Sequence, residues 1–294
     1  MQDLYFVLAG LLVGFCVGVT GVGGGSLMTP ILISVLHVPA HIAIGTDLLY
    51  AAISKFCGSL VHAKKLNIVW PIVIWLSIGS IPASLVTTWA LSMFFDGAND
   101  YKKILTMTLG FMLVLTGISI IFRQKIEDFF ARRRHLANPD HLHEDNQPFL
   151  MKSKGLVVLM GMVLGVFVTL SSVGAGAFGI MALVLMFPHL PMIRIIGSDV
   201  VHAVLLTLVA GLGHMASGNV DFHMLGMLLI GAIPAIVVGT LFSSKLPEKT
   251  IRPILGATLL LLGINFLVNP IKQKPIAPAV PTVSQVSTPV TAIR

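Results

Sequence analysis

Long stretches without charge constrain this chain more than any other feature. About 20 residues of α-helix cross the hydrocarbon core of a bilayer, and backbone groups in lipid must bond to one another. Seven stretches without Asp, Glu, Lys or Arg are long enough for this. They cover residues 4–46, 66–95, 104–122, 155–193, 200–220, 222–244 and 253–271. The sequence therefore predicts an all-α polytopic membrane protein.

Composition agrees with a membrane class. The 294 residues are 55% hydrophobic and 11% charged, whereas a soluble domain has about 25% charged residues. The net charge is +7, but the basic residues cluster between apolar segments, which is typical of cytoplasmic loops and not of nucleic-acid binding. Cys16 and Cys57 both lie in apolar segments, so we expect no disulfide framework, no metal site and no cofactor.

The chain is an internal duplication. When it is aligned on itself with a shift of 152, thirteen of the forty positions in 44–83 are identical to those in 196–235, including Asp47 with Asp199. Such repeats are common in secondary transporters. The sequence predicts two homologous repeats of about four transmembrane helices each. The segments are repeat 1 (4–122), a polar basic linker (123–154), repeat 2 (155–269) and a disordered tail (270–294).

Each repeat opens with a glycine-rich interruption, at 18–30 and, with a shift of 151, at 169–181. As one helix, residues 4–36 would be ~50 Å long, against a hydrocarbon core of ~30 Å. Each opening helix is therefore broken, either as a re-entrant hairpin or as a single crossing. Matching interruptions in two repeats point to a substrate site, although glycines also permit close helix packing.

A helix that begins after such a break offers free amide donors and the positive end of its dipole to an anion. Glycines and hydroxyl residues of the two breaks are therefore the candidate substrate-binding residues. They are Gly21, Gly23, Gly24, Gly25, Ser26, Thr29, Ser171, Ser172, Gly174 and Gly176.

Lys55 is a further candidate, because ionisable groups inside a membrane segment are costly and often functional. Its ammonium would attract an oxyanion if it faced the cavity. The alternative is a lysine that extends its head to the interface. The aligned residue in repeat 2 is Thr207, so any such charge belongs to one repeat only.

Asp47 and Asp199 allow two interpretations. They are candidates for proton coupling, with His202 one turn beyond Asp199. Alternatively, both aspartates stand at helix starts that Thr46 and Ser198 cap. In that case His202 is a packing residue.

Loop charges place the linker in the cytoplasm in either of two topologies. If the repeats are inverted, the linker side holds 13 Lys and Arg residues and the other side 5, with Lys55 excluded. If the repeats are parallel, the numbers are 12 and 6. The length argument favours inverted repeats, which put both termini outside.

The motifs "GVGGGSLMTPIL" (21–32) and "AIGTDLLYAA" (43–52), with the copies "SVGAGAFG" (172–179) and "IIGSDVVHA" (195–203), resemble the sulfite exporter TauE/SafE family. The resemblance covers residues 4–269. It implies export or uptake of a small sulfur-containing anion, such as sulfite or a sulfonate.

Together these features predict a multi-pass secondary transporter of the bacterial inner membrane that exports a small sulfur-containing or organic anion by alternating access. Its partners are the anionic substrate, the lipid bilayer and a coupling proton. The sequence leaves the oligomeric state open. The alternatives are an intramembrane enzyme that uses Asp199 and His202 in acid-base chemistry, and a passive anion channel. We expect a transporter and not an enzyme.

Gly24→Leu and Gly176→Leu are each expected to abolish transport of labelled anion in proteoliposomes while the protein still inserts. The bulky side chain would fill space assigned to substrate or to the sharp turn. Gly110→Leu, in a plain apolar span, is the control that should be tolerated better. Normal transport in either variant would assign its glycine to ordinary packing.

Overall fold

The computed structural model describes residues 2–20, 25–62, 68–94, 98–137, 154–242 and 248–269. These ranges contain ten helices and no strand, so the all-α prediction is confirmed for them. The helices are α1 (Gln2–Thr20), α2 (Gly25–Ser34), α3 (Ala40–His62), α4 (Trp70–Phe94), α5 (Ala98–Ala137), α6 (Lys154–Ser171), α7 (Ala177–Met186), α8 (Met192–Ala216), α9 (Phe222–Phe242) and α10 (Glu248–Val268).

Six helices within the described ranges are long and apolar enough to cross a membrane. Their outward faces carry exposed large apolar side chains, such as Leu4, Leu8 and Leu11 on α1. A lipid-facing surface explains such exposure, which would be unfavourable in water. The prediction of a multi-pass membrane protein is therefore confirmed. By length and composition, the candidate membrane spans are Gln2–Val19, Trp70–Met93, Lys102–Arg123, Lys154–Ser171, Met192–Ala216 and Phe222–Phe242.

Helices α1 and α9 lie in direct backbone contact. A Cβ atom at Gly10 would lie 2.1 Å from the Leu228 carbonyl oxygen, and one at Gly14 would lie 2.6 Å from that of Ala232. The two helices run parallel, because the contact positions rise together along both. Small residues allow this close approach, which gains van der Waals contact where lipid offers no hydrophobic driving force.

The same contact recurs between α6 and α4. A Cβ at Gly161 would lie 2.3 Å from the Leu76 carbonyl oxygen, and one at Gly165 would lie 2.4 Å from that of Ser80. These four positions align with Gly10, Leu228, Gly14 and Ala232 at the shifts of 151 and 152. In each half, the first helix, α1 or α6, therefore packs against a helix of the other half, α9 or α4.

Helices α3 and α8 cross antiparallel at the centre. Gly45 lies against the His214 side chain, and Gly211 lies against Leu49. The middle of both helices is buried, with Tyr50 fully enclosed. Polar groups on these two helices are therefore shielded from lipid and available for a central site.

Helices α5 and α10 also cross antiparallel. A Cβ at Gly110 would lie 3.0 Å from the Gly263 carbonyl oxygen. Gly110 is therefore a packing position, and the expectation that it makes a tolerant control is wrong. Gly226 on α9 has no heavy atom within 4 Å of such a Cβ, so it is the suitable control.

Helix α5 continues past residue 122 to Ala137, so the first part of the predicted linker is helical. Residues 138–153 of that linker and the predicted tail 270–294 lie outside the described residues. The predicted segment boundaries stay predictions.

Gly14→Leu is expected to destabilise the protein by about 1–3 kcal/mol or more, because its side chain must separate α1 from α9. Gly226→Leu, on the open side of α9, should change stability little. Thermal unfolding of both purified variants in detergent measures the difference. Equal stability would mean that the α1–α9 contact does not hold the fold.

Candidate substrate and coupling site

The chain is interrupted in its second half between Ser171, the end of α6, and Ala177, the start of α7. Three residues there have positive φ: Ser172 at 58°, Gly174 at 111° and Gly176 at 133°. The two glycines take this backbone without strain, whereas other residues rarely do. Gly176 is the N-cap of α7 and provides no side-chain cap, and the Gly179 amide donates back to the Gly174 carbonyl oxygen at 3.0 Å. An anion at this helix start would use the amides that precede Gly179.

In the first half, helix α2 begins at Gly25, with Ser26 and Thr29 both buried. The backbone N–H of Thr29 donates to Asp47 Oδ2 at 3.2 Å, and the Thr29 hydroxyl donates to the same oxygen. The predicted residues Gly21, Gly23 and Gly24 lie outside the described residues. Thr29 thus hydrogen-bonds to the Asp47 carboxylate, so its hydroxyl proton is not available to a bound anion.

Asp47 and Asp199 are not helix-start residues. Helix α3 begins directly after Pro39, and Pro191 precedes α8 as its N-cap. Both aspartates lie about two turns inside their helices and are fully buried. The helix-start interpretation is therefore wrong. The two prolines, which favour a helix start, were the signal in the sequence that could have placed these boundaries.

Thr46 and Ser198 also have another role than capping. The Thr46 hydroxyl oxygen accepts from the backbone N–H of Asp221 at 3.0 Å, and the Ser198 hydroxyl oxygen accepts from that of Val69 at 2.9 Å. The shift of 152 converts one bond into the other. Each bond ties a central helix to the segment that precedes α9 or α4.

Lys55 does not extend to the interface. Its side chain is 6% exposed, and its ammonium donates to the Ala175 carbonyl oxygen at 2.6 Å. Ala175 belongs to the interruption of the second half, so a charge on α3 is held at the break before α7. The Lys55 ammonium also interacts electrostatically with Asp47 and Asp199.

Asp199 has different surroundings from Asp47. Neither of its carboxylate oxygens has a hydrogen-bond partner among the described residues. A Cβ atom built on Gly179 would lie only 2.3 Å from Asp199 Oδ1, so this carboxylate lies close to α7. His202 is buried one turn further along α8, and its Nε2 shares a hydrogen bond of 2.9 Å with the Ser80 hydroxyl. The predicted relay from Asp199 to His202 is thus not a direct hydrogen bond.

The two serines at the second break differ in their hydrogen bonding. Ser171 donates its hydroxyl to the Phe167 carbonyl oxygen at 2.6 Å, so its proton is used within the backbone. Ser172 is buried near Asp47, outside hydrogen-bonding geometry, and its hydroxyl has no partner in the described part of the chain. Of the two, Ser172 is the one placed to contact a bound ligand.

The sequence model of the sulfite exporter TauE/SafE family matches residues 6–266. The chain belongs to this family.

Several relatives are similar to this TauE/SafE protein over most of its length. "Probable membrane transporter protein YjnA" of Bacillus subtilis is 33% identical over 266 residues, which cover 90% of this chain and 100% of that protein. A "Probable membrane transporter protein" of Xylella fastidiosa is 27% identical over 240 residues, with 81% and 84% covered. One from Methanocaldococcus jannaschii is 25% identical over 276 residues, with 89% and 94% covered. No solved structure matches. The names indicate a membrane transporter rather than an enzyme.

In this TauE/SafE protein, Thr29 of α2, the interruption before α7, one ammonium and two carboxylates meet around α3 and α8. Such charges are costly away from water unless they balance one another. The arrangement suits a small ion that exchanges with these groups.

Sequence reasoning missed two partners in this site. Ala175 accepts the Lys55 hydrogen bond through its backbone carbonyl, and a backbone contact cannot be predicted from the residue type. Ser80 differs from its aligned residue Ala232, and this replacement of an apolar residue by a hydroxyl beside His202 was visible in the duplication.

Proposed function

We propose that this protein exports a small sulfur-containing anion, sulfite or a sulfonate, across the bacterial inner membrane as a secondary transporter. The observation that carries the proposal is the Lys55 ammonium held at the Ala175 carbonyl, beside the start of α7. An ammonium and the positive end of a helix dipole together attract an oxyanion. The family's name supports sulfite as the substrate class.

We infer that the two halves are homologous repeats of inverted topology. The aligned helices α3 and α8 run antiparallel, as do α5 and α10. Repeats related by an axis along the membrane normal would place aligned helices parallel instead. Inverted topology puts 13 Lys and Arg residues on the linker side and 5 opposite, which supports a cytoplasmic linker and termini outside.

Alternating access follows from the same arrangement. The parallel pairs α1 with α9 and α4 with α6 are joined through glycine contacts, so each pair can move as one body. Rocking of these bodies around the central α3 and α8 would open the two breaks to either side in turn. Glycine-broken helices at matching points of both repeats would keep the site near the membrane midplane.

Transport of radiolabelled sulfite by the purified protein in proteoliposomes tests this function. A carrier gives saturable uptake and counterflow against preloaded sulfite. Flux without saturation or counterflow would identify a channel. Chemical conversion of sulfite without flux would identify an enzyme.

Lys55→Met is expected to raise the KM for sulfite roughly 10- to 100-fold, the effect of losing a charge-assisted hydrogen bond of about 1.5–3 kcal/mol. The loss should be larger at low ionic strength if the site is water-filled, because screening is then weakest. Thr207→Val is the matched control at the aligned position, since the Thr207 hydroxyl bonds to Ala203 on its own helix. An unchanged KM in Lys55→Met would remove Lys55 from the site.

A further inference from the structure

Two buried carboxylates occupy aligned positions but have unequal partners. Asp47 receives two hydrogen bonds from Thr29. Asp199 receives none among the described residues, although it is only 1% exposed. The residue that aligns with Thr29 is Ile180, which has no side-chain donor. Both aligned positions therefore carry an acid, but only Asp47 has a side-chain donor among the described residues.

Hydrogen bonds to a carboxylate favour its ionised form, and burial without a donor favours its neutral form. Thr29 thus stabilises Asp47 as the anion. Asp199 has no hydrogen-bond donor among the described residues, and the positive charges near it are those of Lys55 and Arg123. Its carboxylate lies close to Gly179 of α7, a helix that carries no ionisable side chain.

Four charged groups meet in this cluster. Lys55 and the buried Arg123 balance two ionised aspartates, so the two acids are distinguished by their hydrogen-bond donors. Lys55 interacts with both acids, and Arg123 of α5 also acts on Asp199. His202 lies on the same helix with its Nε2 bonded to Ser80. Among the two acids, the one without donors is where neutralisation costs least.

We propose that Asp199, and not Asp47, is the carboxyl group that carries the coupling proton, while Asp47 stays ionised through its hydrogen bonds from Thr29. This inference rests on the proposed transport function. Asp199 takes up one proton from the side to which the site is open and releases that proton to the other side. Its carboxylate re-forms at release, so the proton is balanced over each cycle.

Asp199→Asn and Asp47→Asn, compared in proteoliposomes, test the assignment. Asp199→Asn should reduce sulfite accumulation driven by a pH gradient by at least roughly tenfold while sulfite counterflow persists, because an amide binds no proton in this range. In Asp47→Asn, whatever transport remains should still respond to the pH gradient. A pH-sensitive dye in the lumen should report proton movement with sulfite in the wild type and none in Asp199→Asn.

Gly179→Ser provides a second test that keeps both acids. A Cβ at Gly179 would lie 2.3 Å from Asp199 Oδ1, so a serine there places a hydroxyl beside this carboxylate, and Asp199 should bind its proton only at lower pH. The midpoint of pH-driven transport should lie about one unit lower than in Gly179→Ala. Gly179→Ala adds the same Cβ without the hydroxyl and is the matched control for displacement of the carboxylate.

Four results would overturn the proposal. They are loss of coupling in Asp47→Asn alone, retained coupling in Asp199→Asn, equal midpoints in Gly179→Ser and Gly179→Ala, and accumulation driven by a sodium gradient instead of a pH gradient. Saturable counterflow with no response to pH in the wild type would reject proton coupling and leave the transport function standing. Absence of counterflow in the wild type would reject both. If Asp199→Asn fails to fold in detergent, the comparison of Gly179→Ser with Gly179→Ala decides.

Discussion

Glycine contacts between helices of opposite halves hold this molecule together. Because α1 packs on α9 and α6 packs on α4, neither half encloses its own core, and the central α3 and α8 are shared. In a membrane this close packing replaces the hydrophobic effect, since lipid is as apolar as the helix surface. The exchange of helices is also what places the break of the second half beside a lysine of the first.

Backbone satisfaction in lipid explains where the polar groups lie. An interrupted helix leaves amides and carbonyls that must find partners inside the protein. One of these carbonyls, from Ala175, accepts a hydrogen bond from the Lys55 ammonium. This bond provides a partner both for the carbonyl of the interrupted helix and for the buried ammonium. A substrate anion that draws the ammonium away would release that carbonyl, which links occupancy of the site to the geometry of the break.

The sequence predicts the helices, the paired interruptions and the buried acids because each has a local signal. Charge-free length indicates a membrane helix, and glycine with positive φ marks the turn at Gly176. The bond from Lys55 to a backbone carbonyl has no such signal, and the direction of a side chain on a central helix depends on packing. Pro39 and Pro191 indicate in the sequence where α3 and α8 begin. Placing the helix starts at Thr46 and Ser198 instead gave both aspartates the wrong role.

Duplication alone would produce two equivalent sites, and a symmetric pair of acids would gain no direction from its surroundings. The two halves differ at a few polar positions of the alignment. Lys55 is aligned with Thr207, and Thr29 is aligned with Ile180. These replacements lie on α2, α3, α7 and α8, away from the glycine contacts that join α1 to α9 and α4 to α6. One half can therefore supply fixed charges that attract an anion while the other supplies a group that changes its charge. Proton-coupled anion transport would need both, since a fixed positive charge binds the anion and a titrating group couples its movement to a proton gradient.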